Sequence, residues 1–248
     1  MANAPIHRVS CNLDPRIARA PLNVNGFRVA SAFLPSAGAS GDFYALTARR
    51  PRRLSVVIGD ACGRGAEGAC MLHALVPKLA QLLGSVGSPA RTLSILNACA
   101  ARVLPIDRFV TAAVLELDAE HHSLTIANAG HVPVLVRSLG GTVACLGRAS
   151  GPPLGVVANA LYLDETTPLQ RGDVVVLMTD GVLEAIETDL GRMRRFRRLL
   201  QGAPEGAEGV EQGLLAALDA APLEDDATLL AIEVTEACQA IAPWVEAS

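Results

Sequence analysis

Lysine is nearly missing from this chain. A single one, Lys78, stands against twenty arginines in 248 residues, and aromatics make up only 3%. With alanine abundant, this reads as genomic composition bias rather than as a mark of function. No apolar run approaches the roughly 20 residues that a membrane span needs, and Met1 to Ser10 holds no charged start followed by an apolar core. The six cysteines, at 11, 62, 70, 99, 145 and 238, contain no C-x-x-C pair and are too sparse for a disulfide scaffold. Long basic runs are also missing, apart from Arg192 to Arg198, and the net charge is −4 with a pI near 5.7. Neither nucleic acid nor a membrane is therefore an expected partner. These absences together leave the expectation of a cytoplasmic protein with reduced thiols.

What is present is a core and a set of aspartates. The composition is 50% hydrophobic, ample for one large domain. Leu54 to Gly68 reads L-S-V-V-I-G-D-A-C-G-R-G-A-E-G, an apolar strand that runs into Asp60 and then into a glycine-rich turn. Two other apolar runs have carboxylates at their ends. Val174 to Thr179 finishes in Asp180-Gly181, and Asp225-Asp226 stands just before Ala227 to Val234. If these ends converge, two carboxylates at about 4 Å repel by ~4 kcal/mol at an effective dielectric near 20. A divalent cation removes that objection, and hard carboxylate oxygens suit Mg²⁺ or Mn²⁺. Any one of the aspartates would serve equally as an ordinary turn or cap residue.

Residues 1 to 26 are polar and proline-punctuated, which predicts an irregular lead-in. Phe27 to Leu34, Phe43 to Ala48 and Leu54 to Ile58 read as strands, with Asp42 close to Asp60 if the last two pair antiparallel. Apolar spacing predicts a helix over Ala66 to Leu83, kinked at Pro77, and a second from the cap Ser88 and Pro89 to about Leu104, with Leu93, Leu96 and Val103 inward. Phe109 to Leu117, Ser123 to Asn128, Val132 to Ser138 and Thr142 to Cys145 read as an antiparallel meander. His121 and His122 fall in an exposed turn, and His131 reads as a satisfied structural histidine. Leu161 to Leu169 and Val174 to Thr179 follow as strands. Helices come next over Thr179 to Glu184, Gly191 to Leu200 and Glu208 to Ala220, then a last strand over Ala227 to Val234. Trp244 in the tail reads as a packing anchor. Strands in early and late sets, each followed by helices, argue an α+β fold over a doubly wound sheet. The arginines of 192 to 198 are either a solvated helix face or a contact for an acidic partner. The segment from Asp180 through Glu184 to Leu200 is accordingly expected to couple partner contact to the site.

Five short motifs occur in order: S-G-D-F-Y (Ser40 to Tyr44), G-D-A-C-G-R-G (Gly59 to Gly65), N-A-G-H (Asn128 to His131), T-D-G-V-L-E (Thr179 to Glu184) and D-D-A-T (Asp225 to Thr228). Their order and spacing resemble the SpoIIE-type branch of the PPM, or type 2C, metal-dependent serine/threonine phosphatases. The resemblance implies an α-β-β-α sandwich, with a phosphatase domain over 27–236 between the lead-in of 1–26 and a tail of 237–248. It also implies two Mn²⁺ or Mg²⁺ ions that activate water for in-line attack on phosphorus without a covalent phosphoenzyme. Carried over position by position, Asp60 bridges the ions, the Ala61 carbonyl adds a ligand, and Asp180 and Asp225 hold the first ion. Asp42 serves the second, and Asp226 orients the site or exchanges roles with its neighbour. The family link points to a phosphorylated protein as substrate, a STAS-type anti-sigma-factor antagonist in a bacterial partner-switching pathway. Four positions depart from the pattern: Ser40 for a glycine, Ala45 for an aspartate, Cys62 for a serine and Arg64 for a histidine. They bear on hydrogen bonds around the site, so the alternative reading is a pseudophosphatase that binds a phosphoprotein without turnover.

Overall fold

The computed structural model describes residues 7–11, 21–36, 40–49, 52–63, 66–186, 191–218 and 223–235. The expectations attached to Arg64, to Trp244 and to the tail lie outside these residues. Along the chain run β1 (His7–Cys11), β2 (Leu22–Val24), β3 (Phe27–Leu34), β4 (Asp42–Arg49) and β5 (Arg53–Ala61), then α1 (Ala66–Ser85) and α2 (Pro89–Val103). After these come β6 (Val110–Asp118), β7 (Ser123–Ala129), β8 (Val134–Arg137), β9 (Val143–Leu146), β10 (Glu165–Pro168) and β11 (Val174–Met178). The last part holds α3 (Asp180–Ile186), α4 (Arg192–Gly202), α5 (Gly206–Leu218) and β12 (Ala227–Val234).

The strands form two antiparallel sheets, β1-β4-β5-β6-β7-β10 and β2-β3-β12-β11-β8-β9. Period-2 geometry explains why the central strands are apolar throughout. In β5, Leu54, Val56 and Ile58 face the other sheet, where they meet Val175, Leu177, Leu230 and Ile232. Val57, from the opposite face of the same strand, packs under Leu72, Leu75 and Leu79 of α1 and Leu93 and Leu96 of α2. The second sheet is covered in the same way, Val176, Leu229 and Ala231 meeting Val182 of α3, Phe196 and Leu200 of α4 and Leu214 of α5. Each fully buried Val, Leu, Ile or Phe among these contributes about 1.5–3 kcal/mol. The result is the α-β-β-α sandwich expected, with three apolar layers. No helix among the described residues is long and apolar enough to cross a membrane.

Local signals explain several element ends. Ser88 accepts a hydrogen bond from the Arg91 backbone and Pro89 opens α2, while α1 continues through Pro77 as one helix. Other expectations are corrected. The lead-in contains two strands: β1 pairs along β4, and β2 forms a hairpin with β3 through Asn25 and Gly26, both at positive φ, the Asn-Gly turn chemistry that the proline-rich surroundings obscured. The four central strands are not one meander, since β6 and β7 belong to the first sheet and β8 and β9 to the second. The chain crosses the sandwich between them, at N-A-G-H. Leu161 to Leu169 is strand only over β10, with Leu161 and Leu163 exposed, and Val103 points outward from the end of α2.

Candidate functional site

Antiparallel register gathers the aspartates. Because β4 starts where β5 ends, Asp42 and Asp60 are direct cross-strand partners, and Thr111 at the head of β6 stands opposite Asp60 on the other side. In the second sheet β11 ends where β12 begins, and the Thr179 backbone donates to the Thr228 carbonyl at 3.0 Å. Asp180 and the pair Asp225-Asp226 follow and precede those strands, so they meet the first two aspartates at the same end of the sandwich.

The two halves are tied together beneath the carboxylates. Asp42 is buried, and its Oδ2 accepts hydrogen bonds at 2.7 Å from the hydroxyls of both Thr179 and Thr228. Its backbone N–H donates to Ser40 Oγ at 3.0 Å. Thus a carboxylate of the first sheet is held by two threonines of the second. Asp226, also buried, uses Oδ1 to accept from the Ser36 backbone at 2.8 Å and from the Ser36 hydroxyl at 3.1 Å, which fixes the loop leaving β3. Asp225 Oδ1 accepts from the Asp226 backbone at 2.8 Å, and Ala61 donates its N–H to the Gly41 carbonyl at 3.1 Å. The Cys62 sulfur accepts from the Phe109 backbone at 3.1 Å, so it serves the loop before β6. Thr179, Thr228 and Ser36 had no role assigned from sequence, although the two threonines lie inside quoted motifs.

Close approach requires glycine here. A Cβ on Gly181 would stand 2.0 Å from the Asp226 carbonyl oxygen, and one on Gly41 would stand 2.6 Å from the Ala61 carbonyl and 2.9 Å from Asp60 Oδ1. The glycines next to Asp180 and Asp42 are thus what lets their carboxylates reach the shared end.

Electrostatics at this end runs one way. Burial pushes Asp60 up to about 7, reinforced by the negative charges of Asp180, Asp225 and Asp226. Asp42 is raised well above the ordinary carboxylate range, mainly by burial, against the opposing effect of the threonine hydroxyls. Asp180 is raised by loss of water and then by Glu184 and Asp225. Among the described residues no arginine or lysine forms an ion pair with Asp60, Asp180 or Asp225. The donor set is hard oxygen, the chemistry that Mg²⁺ and Mn²⁺ prefer, and an added cation would relieve every one of these shifts. Among the described residues no three His, Cys, Asp or Glu side chains already stand at metal-coordinating spacing, so the carboxylates converge on one region without forming a closed shell.

His131 lies just behind. Its Nε2 donates to the Met178 carbonyl at 3.1 Å, which fixes the neutral tautomer and leaves Nδ1 to accept from the Thr111 hydroxyl at 2.9 Å. Burial lowers its pKa to about 4. It is a satisfied structural histidine, bonded to one strand of each sheet.

The fold is found in known structures. The RsbU and RsbW domains of Rv1364c from Mycobacterium tuberculosis align with a TM-score of 0.75 at 24% identity, over 86% of this chain and 63% of that one. RsbX, solved in complex with magnesium, aligns with a TM-score of 0.68 at 18% identity, over 87% and 99%. The PP2C phosphatase domain of SpoIIE from Bacillus subtilis aligns with a TM-score of 0.73 at 19% identity, over 84% of this chain and 63% of that one, so the protein has the fold of the PP2C-type phosphatase domains. In sequence, the phosphoserine phosphatase RsbU of Bacillus subtilis (strain 168) is 26% identical over 206 residues, 80% of this chain and 61% of RsbU. A sequence model of the Stage II sporulation protein E (SpoIIE) family matches residues 50–235, and the chain belongs to that family. It spans less than two thirds of the length of the curated relatives it matches.

Proposed function

We propose that this chain is a metal-dependent protein phosphatase that hydrolyses phosphoserine or phosphothreonine on a partner protein in the cytoplasm. The observation that carries the reading is the meeting of Asp42, Asp60, Asp180, Asp225 and Asp226 from both sheets at one end of the sandwich, with Asp60 raised to about 7 by burial and its neighbours. Family membership supports it, as do the likeness to the phosphoserine phosphatase RsbU and to RsbX in complex with magnesium. In this reading Asp60 would hold both of two Mn²⁺ or Mg²⁺ ions, the Ala61 carbonyl would add a ligand, Asp180 and Asp225 would hold the first ion, and Asp42 the second. Bound ions would supply water of lowered pKa and neutralise charge on the phosphoryl oxygens.

The chain's own residues do the positioning. Thr179 and Thr228 orient Asp42 by donating to Oδ2, and Ser36 restrains Asp226, which orients the site next to Asp225. The proposed substrate is a STAS-type anti-sigma-factor antagonist, by analogy with the partner-switching pathway that the family link suggests.

The test is turnover of p-nitrophenyl phosphate. Activity with Mn²⁺ should vanish in chelator and in Asp60→Asn, with the variant still folded. Absence of turnover together with retention of a phosphoprotein on the immobilised protein would establish the pseudophosphatase reading instead.

A further inference from the structure

Helix α4 carries arginines that no carboxylate among the described residues pairs with. Its segment R-M-R-R-F-R-R-L-L has Phe196 and Leu200 fully buried and Met193 and Leu199 packed partly against the same core. That fixes the helix's rotation, so Arg194, Arg195 and Arg198 project into water. Two neighbouring arginines are occupied: Arg192 pairs with Glu184 at 3.2 Å, and Arg197 donates to the Val143 carbonyl at 2.8 Å. Among the described residues no carboxylate pairs with Arg194, Arg195 or Arg198.

Each local term disfavours this arrangement. The first turn of α4 contains no acidic residue, so Arg194 and Arg195 stand close to the positive end of the helix dipole. Arg194 and Arg198 are spaced i,i+4 and Arg195 and Arg198 i,i+3, so like charges face one another along the helix. A cluster of cations that breaks local rules without a compensating contact among the described residues, in a chain of net charge −4, is the mark of a surface made for something outside it. An anionic lipid surface would be met by a helix with a free apolar side, whereas the apolar side of α4 is already consumed by the core. Planar guanidinium forks match carboxylates and phosphates alike, and with no apolar side free for a bilayer an acidic protein face remains the fitting partner.

The position of the patch relates it to the site. Glu184, which holds Arg192, lies one helical turn, about 6 Å, beyond Asp180 along α3. Helix α4 therefore starts near the carboxylate end and runs away from it, since Arg197 reaches Val143, whose register partner Arg137 faces Val174 at the opposite end of β11. Resting on the phosphatase reading, we infer that Arg194, Arg195 and Arg198 form a docking surface, outside the reacting centre, for an acidic patch on the phosphoprotein substrate.

Two phosphoserine peptides of equal length test this, one with six glutamates flanking the phosphoserine and one with glutamines in their place. The wild type at 50 mM NaCl should show a kcat/KM at least ten-fold higher on the glutamate peptide. In the R194E/R195E/R198E variant the advantage should fall below two-fold while p-nitrophenyl phosphate turnover stays within two-fold of wild type. The neutral R194Q/R195Q/R198Q variant should lose most of the advantage too, with an unchanged melting temperature. Equal use of both peptides by the wild type, an advantage kept in the glutamine variant, or a parallel loss on p-nitrophenyl phosphate overturns the inference. Should the protein turn over no substrate, the phosphatase reading fails on its own, and binding of a fluorescent unphosphorylated glutamate peptide decides the docking surface. That peptide must bind the wild type at least ten-fold more tightly than the charge-reversed variant. Arginine-dependent binding to vesicles containing 30% phosphatidylserine without binding to the peptide assigns the face to lipid and overturns it.

Discussion

Asp60 shows how one side chain carries opposite requirements. Its carboxylate is pushed up to about 7 by burial and by three neighbouring aspartates, so in metal-free protein its ionisation opposes folding. A pKa raised above the unfolded value gives stability that is present at low pH and lost as the pH climbs from about 4 through about 7. His131 runs the other way, since a pKa lowered to about 4 gives stability that is present above 6.5 and lost as the pH falls through 4. The two trends share one pH window. In chelator, Asp60→Asn should therefore gain urea midpoint relative to wild type as the pH rises from 5 to 7.5, and parallel curves would contradict the assignment. The aspartates themselves were legible because each closes or opens an apolar run. Their partners were not: Asp42 is held by residues 137 and 186 positions away, and Asp226 by one 190 positions away, separations that only the stacking of two sheets can close.

At the scale of elements, what could be read was whatever a local rule specifies. Ser88-Pro89 marked the start of α2, and the β-branched run ending in Asp60 marked β5. Short strands escaped for a physical reason: β1 spans five residues and β2 three, so each has too few residues to show a period. The crossing at N-A-G-H escaped because alternation within a strand does not reveal which sheet it joins. The junction of β11 with α3 is the element on which the site depends most. With 2.0 Å between a Gly181 Cβ and the Asp226 carbonyl, Gly181→Ala must push the start of α3 away from the Asp225-Asp226 turn. It is expected to reduce turnover of p-nitrophenyl phosphate at least ten-fold and raise the Mn²⁺ concentration needed for half-maximal rate. An unchanged metal requirement would show that Asp180 is not positioned by this contact.

Across the whole molecule the aspartates sit at a seam. Asp42 and Asp60 belong to one sheet, while Asp180, Asp225 and Asp226 flank strands of the other, and the apolar layer that joins the sheets does nothing to balance their charge. A cation bound between them would act on stability as well as chemistry, because it binds the folded seam and finds no such cluster in the unfolded chain. At a hundred times its dissociation constant a ligand adds about 2.7 kcal/mol, which for a domain of this size corresponds to roughly 5–10 °C in melting temperature. The most direct measurement is the melting temperature in chelator and in millimolar Mn²⁺, for wild type and Asp60→Asn side by side. The wild type should rise by several degrees with Mn²⁺, and the variant should start higher in chelator and respond little. A wild-type melting temperature that Mn²⁺ leaves unchanged would contradict a metal centre at this seam.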